Sequence, residues 1–180
     1  MKTMTLPLNA KKVFTGEIFN VYQWEQKMYD GSTATFERVS RPNTVQVLAT
    51  QDNNILVTHE EQPDKGPFFS LCGGRVDEGE DTLAAAKREL LEEAGMVSED
   101  WELYVQHKPT HKIEWYVYYY VAKNCKKVAE QTLDAGEKIT VESVTFDEFY
   151  TLMTSDKSRD LFLKIQLLQK KDIIQKMLFK

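Results

Sequence analysis

The hydrophobic positions in the first third of the chain follow the spacing of β-strands. Between residues 12 and 61, apolar and aromatic residues alternate with polar ones or form short runs rich in β-branched residues. The pattern predicts one or two strands in 12–29 and single strands at 33–41, 44–50 and 55–61. The segment Asp30–Ser32 predicts a hairpin turn, because its central glycine tolerates positive φ.

The hydrophobic spacing becomes that of a helix only after residue 80. A helix is predicted from about Asp81 to Ala94, and Gly95 is expected to end it. Its buried face consists of apolar residues at helical intervals: Leu83, Ala86, Leu90 and Ala94. Before this helix, two prolines and a glycine predict a loop at 62–69, followed by a short strand and a tight turn at 70–74.

The rest of the chain predicts further strands and then two helices. Strands are expected at 101–110 and 112–124, with another strand after an acidic loop within 128–144. Helices are expected at 145–155, with Thr145 as N-cap, and at 157–178. The last helix carries four apolar residues on one face: Leu161, Ile165, Leu168 and Ile173. This order indicates an α/β fold, or α+β with mixed pairing, in which a mixed sheet lies between helices.

Composition and charge narrow the range of partners. The 180 residues carry a formal net charge of −5, whereas a broad nucleic-acid surface would be basic. No segment approaches the roughly 20 apolar residues of a membrane-spanning helix, and the N-terminus resembles no signal peptide. Two cysteines without a CxxC pair favour a reducing compartment. We therefore expect a cytoplasmic domain, with at most a modest extension, that binds neither nucleic acid nor membrane.

Three glutamates concentrate negative charge on the first predicted helix. Glu89 and Glu93 lie one turn apart on one face, and Glu92 flanks them. Glu93 also borders the apolar face, so partial burial is expected, and partly buried like charges require a cation. Arg88 can pair with Glu92 at i+4 but offsets only one charge. Oxygen ligands of this kind suit Mg²⁺, or alternatively Mn²⁺, rather than zinc.

A solvated helix face is the simpler explanation, and three glutamates alone do not exclude it. The spacing of the whole segment from residue 73 to residue 96 argues against chance. Its fixed positions, separated by five, seven, one and one residues, are Gly74, Glu80, Arg88-Glu89-Leu90, Glu92-Glu93 and Gly95. This pattern, set between a strand and a helix, resembles the Nudix box at every fixed position.

The resemblance implies an enzyme that cleaves a nucleoside diphosphate linked to another moiety, using water and a divalent metal ion. By motif position, Glu89 and Glu93 would be the main metal ligands. Glu92 would be a further ligand or would activate water. The carbonyl of Gly73 or Gly74 would complete the coordination.

The same resemblance implies supporting and catalytic roles for other polar residues. Arg88 would orient the carboxylates, and Glu80 would be its partner near the turn, grouped with Gly74 among the substrate-binding residues. In relatives, an acidic loop before the last strand commonly delivers a catalytic glutamate. Here that residue would be Glu137, with Asp134 as its rival and a plain surface turn as the alternative.

Segments outside the box resemble the branch of the family that hydrolyses ADP-ribose and nucleotide sugars. The likeness covers the N-terminal strands and the segments "RPNTVQVLAT" and "ILVTHEEQ". It implies an antiparallel β extension at 1–43 and a Nudix domain at 44–180. In that branch the extension often packs or swaps in a homodimer. The implied reaction is Mg²⁺-dependent hydrolysis of a nucleoside diphosphate substrate to a nucleoside monophosphate and a sugar phosphate.

The chain departs from that branch at two positions near the box. Gln62 stands where a substrate-binding arginine is expected, and Ser70 stands where a glutamate is expected. These differences leave the metal site intact and put ADP-ribose itself in doubt. Arg38 or Arg41 remains available to bind the substrate, although each can equally be a charge at the end of a strand.

Two further points stay open at the level of sequence. Three aromatic residues are candidates for stacking on a nucleobase, although aromatic residues in strands more often belong to the core: Trp24, Phe68 and Trp115. Two other functions compete with the leading one. One is a nucleoside triphosphate pyrophosphohydrolase that clears damaged nucleotides, and the other is a non-catalytic binding module, which would usually have lost carboxylates that are all present here.

Overall fold

The computed structural model describes residues 6–63 and 65–179. The strands before the first helix are β1 (Lys11–Thr15), β2 (Asn20–Lys27), β3 (Thr33–Ser40), β4 (Thr44–Gln51), β5 (Asn54–Gln62) and β6 (Lys65–Ser70). The first helix is α1 (Thr82–Ala94). The strands after it are β7 (Met96–Val97), β8 (Asp100–His107), β9 (Ile113–Glu114), β10 (Val117–Lys123), β11 (Lys126–Lys127) and β12 (Lys138–Val144). Two helices follow, α2 (Phe146–Thr154) and α3 (Leu161–Phe179).

A mixed sheet forms the centre of the molecule, in the strand order β12-β5-β4-β10-β8 with β6 alongside β5. Strands β4 and β10 run parallel, and the other neighbours in this sheet run antiparallel. Both parallel strands are buried along most of their length, as expected for strands that are covered on both faces.

Helices cover both faces of this sheet, which confirms the predicted layer arrangement. On one face, Ala85, Ala86 and Leu90 of α1 belong to the same buried cluster as Val45 and Val47 of β4. The other face packs against α2 and α3 through a second core, which includes Leu48, Val121, Phe149, Met153, Leu163 and Leu167. Because successive side chains of a strand point to opposite faces, β4 contributes to both cores.

The predicted N-terminal extension forms a separate sheet in the order β1-β2-β3-β9. Strands β2 and β3 form the expected hairpin, and Gly31 adopts a φ of 88° at its turn. The short strand β9 pairs in parallel with β3, so this sheet is tied to the segment that precedes β10. Residues 1–5 of the expected 1–43 extension lie outside the described residues.

Strands β4 and β5 pair only near the turn that joins them. Further along, β5 pairs with β6, and the segment after β6 bonds to β4 instead. The Val47 N–H donates to the Cys72 carbonyl at 2.8 Å, and the Val45 N–H donates to the Gly74 carbonyl at 2.9 Å. The glycine turn at 73–74 therefore lies where the pairing of two central strands is interrupted.

The helix that follows this turn has caps at both ends. Asp81 Oδ1 accepts hydrogen bonds from the backbone N–H groups of Leu83 at 3.0 Å and Ala84 at 3.3 Å. Gly95 ends the helix in the left-handed conformation, with a φ of 63°. The predicted N-cap of α2, Thr145, is also confirmed.

Two strand predictions near the site are wrong. Residues 65–70 form β6 rather than a loop, because pairing with β5 outweighs the local effect of Pro67 and Gly66. A register shift in this pair accommodates the proline, which cannot donate a ladder hydrogen bond. The strand predicted at 112–124 is interrupted, and only 113–114 and 117–123 are extended and paired.

The last helix differs from its prediction in position and in its buried face. It begins at Leu161 instead of residue 157, and it is kinked at Lys170, which has a φ of −137°. The four apolar residues predicted on one face are all exposed: Leu161, Ile165, Leu168 and Ile173. The side chains that enter the core are Leu163, Leu167, Ile174 and Leu178.

Both cysteines are buried with free thiols. Burial raises the pKa of the Cys72 thiol well above its usual range and raises that of Cys125 to about 11. Neither side chain is therefore a thiolate near neutral pH, which argues against a nucleophilic role. None of the helices within the described residues has the length and apolar character needed to cross a membrane.

Replacing Gly95 with alanine should destabilise the fold. Its φ of 63° disfavours an L-residue, and a Cβ at this position would collide with the carbonyl of Ala129. We expect the free energy of unfolding to fall by about 1–3 kcal/mol, measured by urea denaturation. Gly66→Ala is the matched control, because nothing lies within 4 Å of its added Cβ. Equal losses in the two variants would contradict this explanation.

Candidate active site

The two glycines after β6 bring the backbone directly against α1. The Gly73 N–H donates to Glu93 Oε2 at 2.7 Å. A Cβ at Gly73 would collide with the carbonyl of Val45 in β4, and a Cβ at Gly74 would lie 2.5 Å from Glu89 Oε1. Position 73 therefore requires glycine, and a side chain at position 74 would displace the Glu89 carboxylate, so the turn and the helix form one site.

Arg88 links the carboxylates on the more exposed side of this site. Its Nη1 donates to Glu89 Oε1 and to Glu92 Oε2, each at 2.9 Å. Its Nε donates to Glu80 Oε1 at 3.0 Å, and its Nη2 donates to Glu80 Oε2 at 3.1 Å. Nη2 also donates to the backbone carbonyl of Arg75 at 2.9 Å. One guanidinium thus holds three carboxylates and the turn, which is the geometry that a supporting role requires.

Burial perturbs the other two carboxylates strongly. Glu93 is 4% exposed and Glu89 is 9% exposed. Desolvation raises the pKa of Glu93 to about 9 and that of Glu89 to about 6. The Gly73 N–H lowers the pKa of Glu93, and Arg88 lowers that of Glu89, but burial outweighs both effects. Ionisation of these two carboxyl groups is therefore costly in this site unless a further positive charge binds beside them.

The chemistry of these donors fits a hard divalent cation, because they are carboxylate and carbonyl oxygens. As the side chains stand, no group of three or more His, Cys, Asp or Glu within residues 6–63 and 65–179 converges closely enough to hold a metal ion. Arg88 engages one oxygen of Glu89 and one of Glu92. Arg88 thus leaves the second oxygen of each carboxylate for a cation, and cation binding would require these side chains to turn toward one another.

The loop before β12 is tied to the last turn of α1. The Thr132 N–H donates to the Glu92 carbonyl at 2.8 Å, and Gln131 Nε2 donates to the Glu93 carbonyl at 2.5 Å. These contacts bring Glu137 close enough to raise the pKa of both buried glutamates. The carbonyls at the end of the helix thus act as the anchor for the acidic loop.

Glu137 and its rival Asp134 belong to a single turn. The Glu137 N–H donates to the Asp134 carbonyl at 2.9 Å, and Glu137 Oε2 accepts from the Asp134 N–H at 3.2 Å. Glu137 is partly buried, whereas Asp134 is exposed. The electrostatic influence on the buried carboxylates comes from Glu137, which favours it as the acid that this loop contributes.

A cavity of 740 Å³ opens beside the glycine turn, with Gly73 and Gly74 in its wall. The remaining walls come from β4, β5, β6, β8, β10 and the start of α3. Its volume is within the range of small-molecule and cofactor sites. A second cavity, of 560 Å³, lies between Phe146 and Phe179 and contains no residue of the carboxylate site.

Only some of the residues predicted to bind substrate line the 740 Å³ cavity. Arg41 and Gly74 line the 740 Å³ cavity. Arg38 and Trp24 lie outside it, since Arg38 pairs with Glu114 at 3.1 Å and Trp24 is buried in the N-terminal sheet, 6.1 Å from the ring of Phe36. Glu80 contacts Arg88 and does not line the cavity.

Two of the three aromatic candidates for stacking, Phe68 and Trp115, do line the cavity. The two positions that depart from the related branch, Gln62 and Ser70, also lie in its wall. The departures are therefore located where they can alter which substrate is accepted, while the carboxylates of α1 are unaffected by them.

The cavity also contains residues that the sequence motifs did not single out. Gln46 lies in β4, Glu60 in β5, and Arg159 in the connection between α2 and α3. The Arg159 guanidinium lies 4.5 Å from the centre of the Phe68 ring. No motif marks these residues, because they meet only through the tertiary fold. The one local signal is the polar Gln46 among the apolar residues at 45–49 of β4.

Comparison with known families matches residues 40–164 to a model described as the NUDIX domain. The matched segment contains the glycine turn, α1, the acidic loop and most of the cavity wall. It begins four residues ahead of position 44, the start of the domain expected from the sequence, and it ends inside α3.

Individual proteins are similar over most of the chain. The chain is 27% identical to the ADP-ribose pyrophosphatase of Bacillus subtilis (strain 168), over 97% of this chain and 98% of that protein. It is 28% identical to the methanol dehydrogenase activator of Bacillus methanolicus, over 78% of each. A solved structure described as an ADP compounds hydrolase matches with a TM-score of 0.75 and 19% identity, over 97% of this chain and 98% of that chain. At this identity the structural match shows a shared fold.

Replacing Arg88 with lysine should destabilise the carboxylate site. Lysine keeps the charge but cannot bridge several carboxylates with a planar fork of donors. Because the Arg88 side chain is 30% exposed, we expect a loss of about 1–2 kcal/mol in the free energy of unfolding, measured by chemical denaturation. Arg75→Lys is the matched control, since that side chain is 60% exposed and its pair with Asp77 is long, at 3.7 Å. Similar losses in both variants would argue against the bridging role.

Proposed function

The chain belongs to the Nudix family, and from this premise we propose that it hydrolyses the diphosphate bond of a nucleotide sugar or of ADP-ribose. The products would be a nucleoside monophosphate and a sugar phosphate. The similarity to the ADP-ribose pyrophosphatase of Bacillus subtilis, which extends over nearly the whole of both chains, supports a pyrophosphohydrolase of this kind.

The proposal rests on one observation: the buried glutamates of α1, the glycine turn and the cavity adjoin one another. Buried Glu89 and Glu93 lie against the turn of Gly73 and Gly74, and the turn forms part of the wall of a cavity of nucleotide size. A diphosphate at the turn would have the carboxylate site on one side and the cavity on the other. The rest of the substrate would then extend into the cavity.

We propose Mg²⁺ as the cofactor, with Mn²⁺ as the alternative, since Nudix hydrolases generally use divalent metal ions. Glu89 and Glu93 would hold the ion, Glu92 would be a further ligand, and the carbonyl of Gly73 or Gly74 would complete the set. When bound, the ion supplies positive charge that neutralises the diphosphate and lowers the pKa of water.

The remaining residues of the site position groups and move protons. Arg88 keeps the carboxylates in place, and Glu80 holds Arg88 from the other side. Glu92 is more exposed than the other two box glutamates, and Glu137 lies on the acidic loop facing them. One of these two is proposed to accept the proton of the attacking water.

We also propose that the chain forms a homodimer through its N-terminal sheet. Four exposed apolar side chains lie in or just after β1: Val13, Phe14, Ile18 and Phe19. Exposed apolar patches of this kind are typical of protein interfaces. The free thiols of Cys72 and Cys125 are the state expected in a reducing compartment, which supports a cytoplasmic location.

A substrate panel with product identification tests the proposed reaction. Incubation with Mg²⁺ and ADP-ribose or other nucleotide sugars should release a nucleoside monophosphate and a sugar phosphate. Release of pyrophosphate from nucleoside triphosphates, without turnover of nucleotide sugars, would favour the competing pyrophosphohydrolase. Absence of turnover for all nucleotide sugars, under conditions that support other Nudix enzymes, would refute the proposal.

Glu93→Gln should remove the response to Mg²⁺ while preserving the fold. Glutamine can still accept from the Gly73 N–H, and it removes a buried group that is costly to ionise, so the metal-free variant should be at least as stable as the wild type. Mg²⁺ should raise the melting temperature of the wild type more than that of the variant. Turnover should fall by at least about 100-fold, because even residues behind the ligands contribute 10- to 100-fold.

The exposed Glu99→Gln is the control for loss of one negative charge near the same helix. It should match the wild type in turnover and in its melting-temperature shift with Mg²⁺. A Glu93→Gln variant that keeps the full shift with Mg²⁺ would contradict the assignment of Glu93 as a metal ligand.

A further inference from the structure

Two buried polar atoms in the wall of the 740 Å³ cavity have no hydrogen-bond partner among the described residues. They are Arg41 Nε and Gln46 Oε1. An unsatisfied buried donor or acceptor lowers stability, and native proteins rarely contain one without a functional reason. A donor and an acceptor without partners in the lining of one cavity indicate a ligand that forms hydrogen bonds with both.

Packing does not explain the glutamine. Val45 and Val47, on either side of it, are fully buried toward α1. The next residue on the same face as Gln46 is Leu48, which is fully buried in the core on the opposite side of the sheet. An apolar side chain at position 46 would continue this core without an unsatisfied atom.

Gln46 is also close to the carboxylate site. A Cβ added to Gly73 would lie 3.0 Å from the Gln46 Cα, so the two backbones are in direct contact. The Gly73 N–H in turn donates to Glu93 Oε2. The backbone of Gln46 therefore touches the turn at which the diphosphate is proposed to bind, and Gln46 and this turn line the same cavity.

Aromatic rings orient the guanidinium of Arg41. Its Cζ lies 4.6 Å from the centre of the Trp115 ring and 5.9 Å from that of Phe19. The Arg41 backbone N–H donates to the Glu114 carbonyl at 3.2 Å, which fixes the main chain beside the same segment. Stacking engages the plane of a guanidinium and leaves its N–H groups free to bind a ligand at the edge.

The chemistry of this pair selects one class of ligand group. A hydroxyl accepts one hydrogen bond and donates another, which matches a donor together with an acceptor. An ionised phosphate oxygen can only accept hydrogen bonds, so it would repel Gln46 Oε1 and leave that acceptor without a donor. A nucleobase is separated from the diphosphate by a pentose, whereas Gln46 lies next to the turn.

We propose that Arg41 and Gln46 form a subsite that recognises a hydroxyl of a sugar joined directly to the diphosphate. This inference rests on the proposed hydrolysis of nucleotide sugars and assigns the residues that recognise the sugar. Two sugars of such a substrate qualify, the ribose of the nucleoside and the sugar on the other phosphate. The subsite lies outside the carboxylate site, so it governs substrate selection without taking part in bond cleavage.

Three substrates with the same diphosphate separate the two sugars. They are ADP-ribose, its 2′-deoxyadenosine counterpart, and an adenosine diphosphate pentyl ester in which an alkyl chain replaces the terminal ribose. For the wild type and for Gln46→Met, kcat/KM is measured on each of the three in Mg²⁺. Gln51→Met is the matched control, as the same substitution in the same strand at a position outside the cavity wall.

The wild type should prefer ADP-ribose over one of the two analogues by roughly 10- to 100-fold, and the disfavoured analogue identifies the recognised sugar. Gln46→Met should lower kcat/KM for ADP-ribose by a similar factor. It should leave kcat/KM for the disfavoured analogue unchanged, so that the preference disappears. Its melting temperature without substrate should equal or exceed that of the wild type, because the unsatisfied acceptor is gone. Gln51→Met should retain the preference.

Arg41→Lys provides a second, independent variant, since it keeps the charge and removes the Nε–H. It should lose the same preference as Gln46→Met. If kcat/KM falls by the same factor on all three substrates in both variants, the two residues have a structural or phosphate-binding role, and the proposal is overturned. Full retention of the preference in both variants would also overturn it. Failure of the wild type to cleave any nucleotide sugar, in contrast, would refute the proposed function itself.

Discussion

The close approach of Gly73 and Gly74 to their neighbours is the constraint on which the site depends. A side chain at Gly73 would collide with β4, and a side chain at Gly74 would collide with Glu89. Without these contacts, the turn could not lie in the gap between β4 and β5 and bond to Glu93 at the same time. The turn thereby joins the helix that carries the carboxylates to the strand that lines the cavity.

The electrostatics of the site follow from this packing. Pressing the turn against α1 buries Glu89 and Glu93, and burial raises the pKa of both carboxyl groups. Arg88 offsets part of the charge and also fixes the exposed edge of the site through Glu80 and Glu92. Two buried carboxyl groups thus lie next to an open cavity, and a bound divalent cation would supply the positive charge that favours their ionised form.

Chemistry and recognition occupy different parts of the fold. The carboxylates come from one helix and are adjacent in sequence, whereas the cavity wall is assembled from five strands and the connection before α3. Arg41 lies beyond the N-terminal sheet, Gln46 in the central sheet, and Arg159 near the C-terminus. This separation allows the departures at Gln62 and Ser70 to change the cavity while the helix keeps its pattern of charges.

Local sequence determined the parts of this protein that depend on one element at a time. The strands, the capped helix, the burial of Glu93 and the spacing of the box were predictable, because periodicity and glycine placement act within a few residues. Pairing partners were not predictable, and the local sequence of β6 indicates a loop because only its pairing with β5 makes it a strand. The cavity wall was not predictable either, and Trp24, placed there by its residue type, belongs to another sheet. Only the tertiary structure decided which polar groups line the cavity. Arg41, Gln46 and the glycine turn share it because the pairing of β4 and β5 is interrupted, and a local sequence pattern carries no information on such long-range pairing.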